Sequence, residues 1–373
     1  MLRVAIVGCG RIADAHAAQI QRIAGCQIVA ACDRELLMAQ QLCDRFSIPG
    51  RYDDLADLLK DARPDVIHVT TPPASHFPIA KACLEHGAHV YVEKPFTLCA
   101  AEANELVARA NHQGVRITAG HDDQFTHAAR RMRALIQNGY LGGAPVHMES
   151  WYCYDLTDPA YAKALLGDTR HWVRGLPGGL MQNVISHGIA RIAEFLSTDA
   201  PRVIAHGFVS PLLKRLGEHD IIDELRVIVS EDERRTAYFT FSSQMRPSIH
   251  QFRIFGPRNG LMLDQDHETV LALRGARFKS YGDKFIPSLV MARQHVANFA
   301  TNAQTFLRRD FHMKSGMKYL IEAFYRSIVD NQPAPIPYRE ILLTAEIMDD
   351  IFRQLPAASD QPPASSYRLP AAM

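Results

Sequence analysis

The sequence lacks both an excess of one charge and any long hydrophobic run. Lys and Arg number 41 and Asp and Glu number 40 in 373 residues, so the formal net charge is +1. This balance creates no overall field that would attract nucleic acid or an anionic membrane, and we expect neither as a partner. No apolar stretch approaches the ~20 residues that a membrane-spanning helix needs. The amino terminus also lacks the signal-peptide pattern, so we expect a cytoplasmic protein.

Residue patterns that mark several other classes of protein are missing as well. The seven cysteines are odd in number and form no Cys-x-x-Cys pair, which argues against a disulfide framework and a zinc site. The 17 histidines include no His-Glu-x-x-His pattern, and no Gly-x-Ser-x-Gly elbow occurs. We therefore expect no metal site and no serine hydrolase.

The first third of the chain alternates short apolar strands with helical stretches. This alternation predicts parallel strands joined by crossover helices, hence an α/β fold with a doubly wound parallel sheet. The predicted strands are Arg3–Val7, Gln27–Cys32, Val66–Thr70, His89–Val92 and Arg116–Ala119. The predicted helices are Ala13–Ala24, Arg34–Phe46, Phe77–His86 and Leu98–His112.

From about Ala144 the pattern changes to successive strands, several of which alternate in polarity. This predicts an α+β domain with a large, mainly antiparallel sheet that has one exposed face. We assign residues 1–121 to the first domain, 122–357 to the second and 358–373 to a flexible tail. The exposed sheet face is a candidate interface for a homo-oligomer, a dimer or a tetramer. The predicted strands are Ala144–Tyr154, Arg202–Ser210, Glu224–Ser230, Thr236–Ser242, His250–Phe255 and Thr269–Leu273. The predicted helices are Thr126–Asn138, Gly179–Leu196, Pro287–Arg308, Lys314–Asp330 and Tyr338–Leu355.

A glycine-rich turn follows the first predicted strand, with the sequence Gly8-Cys9-Gly10-Arg11-Ile12-Ala13. Gly8 permits a tight turn, Gly10 lets a pyrophosphate approach the backbone, and Ala13 allows close packing of helix on strand. The amino end of the next helix would then face the phosphates. The pattern is weak alone, and a glycine turn of another doubly wound protein is the alternative. Its position between a strand and a helix favours dinucleotide binding.

The end of the second predicted strand bears on the choice of cofactor. Asp33 lies 23 residues after Gly10, where a carboxylate can accept hydrogen bonds from the ribose hydroxyls of adenosine. The same carboxylate would repel a 2′-phosphate, so NAD(H) is favoured. The adjacent Arg34 keeps NADP(H) open, because an arginine there could pair with that phosphate.

Further motifs follow the later strands of this domain. Thr70-Thr71-Pro72-Pro73-Ala74-Ser75-His76 follows one strand and Glu93-Lys94-Pro95 follows the next, while Gly120-His121-Asp122-Asp123-Gln124-Phe125 leads into a helix. With the glycine turn and the later Gly178-Gly179, this arrangement resembles the glucose–fructose oxidoreductase, inositol dehydrogenase and MocA family (Gfo/Idh/MocA). The resemblance extends to about residue 355, and its motifs are specific only in combination.

The resemblance implies a dinucleotide-dependent dehydrogenase or reductase, built from an NAD(P)-binding Rossmann domain and an α+β domain. Lys94 would lie near the nicotinamide and the reacting hydroxyl as a catalytic residue, and partial burial there would suit it to proton exchange. An exposed lysine at a strand end is the alternative. The implied cofactor-binding residues are Gly8, Gly10, Arg11, Ile12, Asp33, Arg34, Thr70, Thr71, Pro72, His76, Glu93, Lys94 and His121.

The family's second catalytic element is an acidic residue one helical turn before a histidine, and here Asn183 and His187 match it. The resemblance implies that His187 is catalytic and takes the hydroxyl proton, a role that its ordinary pKa permits. Asn183 cannot carry the usual charge, so we interpret it as a residue that orients the substrate. A histidine on a solvated helix face is the alternative.

Aromatic and cationic residues near the predicted join of the domains add substrate candidates. Tyr154, Arg170 and Trp172, together with Lys94, Asn183 and His187, form the expected substrate-binding set, since aromatic faces and guanidinium groups suit sugar rings and anionic groups. The cations of this segment suggest a phosphate or carboxylate on the substrate, as in a nucleotide sugar. A solvated loop with packing aromatics is the alternative.

The sequence therefore predicts an NAD(H)-dependent oxidoreductase that moves a hydride between the nicotinamide and a secondary alcohol carbon of a sugar, cyclitol or sugar derivative. Two alternatives stay open. Arg34 would suit an NADPH-dependent reductase of a related carbonyl compound, and Asn183 would suit a non-catalytic NAD-binding regulator.

Overall fold

The computed structural model describes residues 1–155, 171–275, 281–311 and 314–355. The chain forms two sheets, one parallel and one largely antiparallel, which confirms the predicted fold class. Of the helices within these ranges, none combines the length and apolar character needed to cross a bilayer.

The first sheet is formed by strands whose residues are buried on both faces, as expected beneath crossover helices. Its strands are β1 (Leu2–Val7), β2 (Cys26–Cys32), β3 (Gly50–Tyr52), β4 (Val66–Val69), β5 (His89–Val92) and β6 (Ile117–Ala119). Its helices are α1 (Arg11–Ile20), α2 (Leu36–Phe46), α3 (Leu55–Ala62), α4 (His76–Glu85) and α5 (Ala100–Gln113). The strand order is β3-β2-β1-β4-β5-β6. The order reverses between β1 and β4, and ligands of such sheets bind outside the strand ends at this point.

The second sheet has the order β13-β12-β11-β7-β10-β9-β8, and only the pairing of β7 with β10 is parallel. Its strands are β7 (His147–Cys153), β8 (Arg202–Phe208), β9 (Glu224–Glu231), β10 (Arg235–Ser242), β11 (Ile249–Phe255), β12 (Asn259–Asp264) and β13 (Thr269–Arg274). The helices of this half are α6 (His127–Gln137), α7 (Gly179–Val184), α8 (Ser186–Ala193), α9 (Pro211–Arg215), α10 (Gly282–Leu307), α11 (Ser315–Val329) and α12 (Tyr338–Gln354).

The structure differs from the predicted elements at four places. The three-residue strand β3 and the helix α3 after it were not predicted, nor were the five-residue helix α9 and the strand β12. The single helix predicted over Gly179–Leu196 is two helices that meet at Ile185, whose ψ is −17°, well short of the ~−42° of a regular α-helix. Asn183 and His187 therefore lie on consecutive helices, and the prediction that they share one helix was wrong.

The buried side chains form two cores. The second core lies between the antiparallel sheet and helices that include α8 and α12, whereas α11 packs into the first core through Met317, Leu320 and Phe324. The chain thus returns to the first sheet after completing the second. The assigned domain limits, 1–121 and 122–357, remain predictions. Helix α11 lies in the second range by sequence, but it packs into the first core.

A chain of hydrogen bonds runs through the first core. Tyr325 Oη lies 2.8 Å from His68 Nε2, His68 Nδ1 lies 2.8 Å from His16 Nδ1, and His16 Nε2 lies 2.8 Å from Glu93 Oε1. Two neutral imidazoles satisfy these contacts in one direction, with Tyr325 donating to His68, His68 to His16, and His16 to the carboxylate. Burial, followed by the proximity of the His16 ring, holds the pKa of His68 well below its ordinary value, which agrees with a neutral ring.

The tyrosine at the end of this chain should contribute measurably to stability. Tyr325→Phe removes the only proton that His68 Nε2 can accept in this arrangement, and an unpaired buried acceptor costs about 1–3 kcal/mol. We expect urea unfolding to report a free energy of unfolding lower by that amount. Tyr281→Phe is the matched control, since Tyr281 is 78% exposed, and it should change the value by less than about 0.5 kcal/mol. Equal effects of the two substitutions would contradict the proposed direction of bonding.

Candidate active site

The glycine turn after β1 lies directly against the loop after β4. Gly8 has a φ of +96°, and a Cβ atom there would lie 2.7 Å from the Thr71 nitrogen. Thr70 Oγ1 donates to the Gly8 carbonyl at 2.6 Å, which joins the same two loops. Only glycine satisfies both the backbone angle and the close approach at this position.

The amino end of α1 is open next to this turn. Gly10 is the residue before the helix, and a Cβ atom there would have no heavy atom within 4 Å. Arg11 is exposed, Ile12 is half-buried, and Pro72 is exposed on the neighbouring loop. The unpaired N–H groups of a helix start favour an anion, so this open space fits a pyrophosphate.

Asp33 directly follows β2 beside the same turn. Its Oδ2 accepts a hydrogen bond from Cys9 N at 2.7 Å, and its Oδ1 accepts one from Glu35 N at 3.0 Å. A carboxylate has about four acceptor sites, so Asp33 can still accept from ribose hydroxyls. Arg34 is exposed at the adjacent position.

The loop after β4 and the loop after β5 are joined by the buried side chain of His76. Its Nε2 lies 2.8 Å from the Thr71 carbonyl oxygen and its Nδ1 lies 2.8 Å from the Pro95 carbonyl oxygen. The buried Thr71 Oγ1 has no hydrogen-bond partner among the described residues, which leaves this hydroxyl unpaired beside the glycine turn.

Lys94 lies where the two cores meet. It follows β5, and its Nζ donates to the Asn183 carbonyl oxygen of α7 at 3.0 Å. Gln182, the preceding residue of α7, donates to the Leu98 carbonyl oxygen of the first core at 2.8 Å. The two bonds hold α7 against the loop after β5, so residues from both halves line one cleft.

His187 is the second residue of α8. Acidic and aromatic groups surround its side chain in the cleft. Its Nδ1 lies 3.7 Å from Asp123 Oδ2, and its Nε2 lies 3.9 Å from Asp122 Oδ1. Tyr152, at the end of β7, donates to Asp123 Oδ2 at 2.5 Å, and its ring stacks 6.0 Å from that of His187. The acidic neighbours of His187 therefore come from the turn after β6.

The pKa values of the two adjacent carboxyl groups, Asp122 and Asp123, are shifted in opposite directions. Burial, with repulsion from Asp123 and Glu93, raises the pKa of Asp122 to about 8. For Asp123, the opposing effect of burial is outweighed by the charge of His187 and the bond from Tyr152, which lower its pKa to about 2. These opposite shifts favour one negative charge on the pair near neutral pH, held by Asp123.

Burial also acts on the two basic residues of the cleft. It lowers the pKa of Lys94, although Glu93, Asp122 and Asp123 oppose the shift. It lowers the pKa of His187, with Asp123 opposing and Lys94 reinforcing the effect. Both groups are therefore closer to releasing a proton than they would be in water.

His121 lies next to this cluster. It is 2% exposed, and its ring lies 5.9 Å from that of His187 in an edge-to-face arrangement. Burial, followed by His187, lowers the pKa of His121 to about 3, so the ring is neutral. Its Nε2 has no partner among the described residues.

The remaining candidate substrate-binding residues lie farther from His187 or outside the described residues. Tyr154 contacts the ring of Tyr152 at 5.5 Å, which brings it to the edge of the His187 cluster. Trp172 is 41% exposed on the turn Trp172–Gly175 and packs on His171. Arg170 lies outside the described residues, as does the predicted tail.

Asp122 and Asp123 belong to a motif of the sequence but were not predicted to have a role in the site. Two successive carboxylates after a strand end were the available signal, since side chains at strand ends of a doubly wound sheet face the ligand crevice. One ligand atom each of Asp122, Asp123 and His187 lies within 4.8 Å of the others, a spacing that a metal ion could bridge. Lys94 and Lys314 already place positive charge beside Asp122, and the absence of a metal remains our expectation.

The doubly wound parallel sheet and the glycine turn after β1 place the first part of the chain in the Rossmann class of folds. Residues 2–121 match the family model described as "Oxidoreductase family, NAD-binding Rossmann fold", named GFO_IDH_MocA. These residues thus match the Gfo/Idh/MocA family of oxidoreductases.

Relatives of known name align with different shares of the chain. D-Glucoside 3-dehydrogenase of Escherichia coli is 32% identical over 142 residues, 38% of this chain and 40% of that protein, so the chain spans less than half of that relative. Myo-inositol 2-dehydrogenase of Thermotoga maritima is 20% identical over 307 residues, 77% of this chain and 86% of that protein.

Among solved structures, the WlbA dehydrogenase of Bordetella pertussis, in complex with NADH and UDP-GlcNAcA, has a TM-score of 0.74. It is 17% identical, with 95% of each chain covered. At this identity the likeness establishes the shared fold of both domains.

The two glycines of the β1–α1 turn should respond oppositely to substitution. Gly10→Val places its side chain in the open space before α1, so the melting temperature should stay near that of the wild type while NADH binding is lost. Gly8→Ala forces a Cβ atom against the Thr71 backbone and should lower the melting temperature by several degrees. Thermal unfolding and calorimetric titration with NADH measure both effects. Unchanged NADH affinity in Gly10→Val would remove the helix start from the cofactor site.

Proposed function

We propose that this protein is an NAD(H)-dependent dehydrogenase of a secondary alcohol in a sugar, cyclitol or sugar derivative. The observation that carries the proposal is the convergence of Lys94 from the first core and His187 from the second in one cleft. The cleft lies beside the loops that follow β5 and β6, where a nicotinamide would reach in a Rossmann domain.

The open helix start at Gly10, the acceptor sites of Asp33 and the free hydroxyl of Thr71 fit a dinucleotide. The carboxylate of Asp33 disfavours a 2′-phosphate, so we propose NAD rather than NADP as the cofactor. When bound, NAD supplies the hydride acceptor for oxidation of the alcohol. Thr70, His76 and Glu93 do not need to touch the cofactor to contribute to the site. Each makes hydrogen bonds that hold a loop or a strand end of the site in position.

The oxidation removes a hydride from the alcohol carbon and a proton from its hydroxyl, and it yields a ketone. A neutral His187 can take that proton, since burial keeps its pKa below the ordinary value. The Lys94 ammonium can donate a hydrogen bond to the same oxygen and stabilise the negative charge that develops there. In the reverse direction, protonated His187 would return the proton to the carbonyl oxygen, while the Lys94 ammonium again stabilises the charge on that oxygen.

Asp123 acts as a positioning residue for His187. Its ionised carboxylate lies beside Nδ1 and is itself fixed by the Tyr152 hydroxyl, so the imidazolium that forms on proton transfer is stabilised. This supplies the negative charge that Asn183 cannot carry. Asn183 contacts Lys94 through its backbone carbonyl, which leaves its amide side chain to orient a substrate hydroxyl.

Relatives whose names specify glucosides and inositols, and a neighbour solved with UDP-GlcNAcA, support the proposed substrate class. Tyr154, Trp172 and Arg170 are the proposed contacts to the sugar and to any anionic group attached to it. We also propose a homo-oligomer in the cytoplasm.

The test is a turnover assay with NAD and NADP over a glucoside, myo-inositol and a UDP-N-acetylhexosamine uronate. We expect at least one of them to be oxidised with reduction of NAD to NADH, and Lys94→Ala and His187→Ala should each lower kcat by about 100-fold or more. Lys60→Ala and His86→Ala, both at exposed positions, are the matched controls and should retain kcat. NADH binding without turnover on any substrate would instead favour a regulator.

The pH profile tests the role of Asp123. Removing its charge lowers the pKa of His187, so in Asp123→Asn the acid limb of kcat/KM should move to lower pH by about one unit or more, with a lower kcat. Asn183→Asp adds a charge and should move the limb to higher pH. Asp122→Asn is the control, because that carboxyl is already protonated at neutral pH, and its acid limb should not move. A limb that is identical in wild type and Asp123→Asn would contradict the positioning role.

A further inference from the structure

The 26-residue helix α10 is held to the second sheet by polar contacts. Gln294 pairs with the backbone of Ala272, accepting from its N–H at 2.7 Å and donating to its carbonyl at 3.2 Å. Asn298 does the same at Val270, with distances of 3.1 and 2.9 Å. These side-chain amides bond the backbone N–H and C=O groups at the edge of β13, as a neighbouring strand would. Asn298 is the only residue of this helix that is fully buried.

The opposite face of α10 carries an apolar stripe that is open to solvent. Its large members and their exposures are Phe285 at 69%, Leu289 at 72%, Val296 at 67%, Phe299 at 74% and Phe306 at 66%. Ala292 and Ala303 occupy the two intervening positions, so the spacing alternates between four and three residues along the stripe. At about 100° per residue, the stripe lies roughly 150° around the helix from Gln294 and Asn298.

We propose that this stripe is the interface with the same stripe of a second copy of the chain, which pairs the two α10 helices in antiparallel orientation. Alternate spacing of four and three residues is the pattern of a helix that packs along another helix, because it keeps one seam facing the partner over several turns. The stripe spans about 32 Å from Phe285 to Phe306, at 1.5 Å per residue, and a helix of similar length is needed to cover it.

A second copy meets these requirements better than an unrelated partner does. The stripe itself contains no charged or polar side chain, and a twofold axis near Val296 would place identical apolar surfaces opposite each other. Burial of roughly 100 Å² at each large side chain and less at the alanines would cover about 600 Å² on each copy, near the ~800 Å² per partner of a stable interface. The small alanines leave room for the larger side chains of the other copy.

The exposed face of the second sheet is the competing interface. It presents Ile204, Phe208, Ile228 and Tyr238 at 38–47% exposure, less than any large member of the stripe. A substitution on each surface therefore separates the two interfaces.

The experiment measures the mass of the full chain by sedimentation velocity and light scattering over a range of concentrations. We expect the wild type to have at least twice the 41.7 kDa mass of one chain. Phe299→Lys and, independently, Leu289→Lys should halve the observed mass. Both side chains are exposed, so the melting temperature of each variant is measured to verify that the chain remains folded.

Ile228→Lys, on the sheet face, is the matched control and should leave the α10 pairing intact. A further variant, Val296→Cys, should form a covalent dimer under mild oxidation, because this position lies near the twofold axis. A monomeric wild type would overturn the proposal. So would an unchanged mass in folded Phe299→Lys and Leu289→Lys, or loss of association in Ile228→Lys alone.

Discussion

The ionised carboxylate of Glu93 is the point on which both the first core and the cleft depend. Within the core it ends the hydrogen-bond chain from Tyr325 through His68 and His16, and these bonds outweigh burial and lower its pKa to about 2. Toward the cleft, its charge helps to protonate Asp122 and partly offsets the effect of burial on Lys94. Gly120 permits this arrangement, because a Cβ atom there would lie 3.1 Å from Glu93 Oε1. One buried charge thus connects the packing of the sheet to the protonation of the cleft.

Periodicity was sufficient to predict most elements of the fold. The strands β1, β2, β4 and β5 are apolar on both faces, and Gly8 and Gly10 mark the turn between the first strand and helix. The three-residue strand β3 was missed because Gly50, Arg51 and Tyr52 form no pattern of their own, and it is a strand only through its pairing with β2. The bend at Ile185 was missed for a related reason, since apolar spacing continues through it without interruption.

The site was predictable where function follows from local chain geometry and unpredictable where it depends on distant packing. Gly10, Asp33 and Lys94 each follow a strand of the first sheet, so their positions could be inferred from the strand pattern. The contact of His187 with Asp123 joins residues 64 positions apart on different elements, and Asn183, the nearer residue in sequence, concealed it. His16 and His68 show no motif, because their role arises only when α1 packs against β4.

The position of α11 in the first core has a consequence for how the protein is made. Met317, Leu320 and Phe324 complete a hydrophobic core whose strands all lie within the first 119 residues. On the ribosome, the amino-terminal sheet therefore emerges without the helix that covers it, and about 200 further residues must be translated before that helix appears. The second sheet emerges in the meantime. Final closure of the first core thus comes late in synthesis, and until then its uncovered apolar face is available to chaperones.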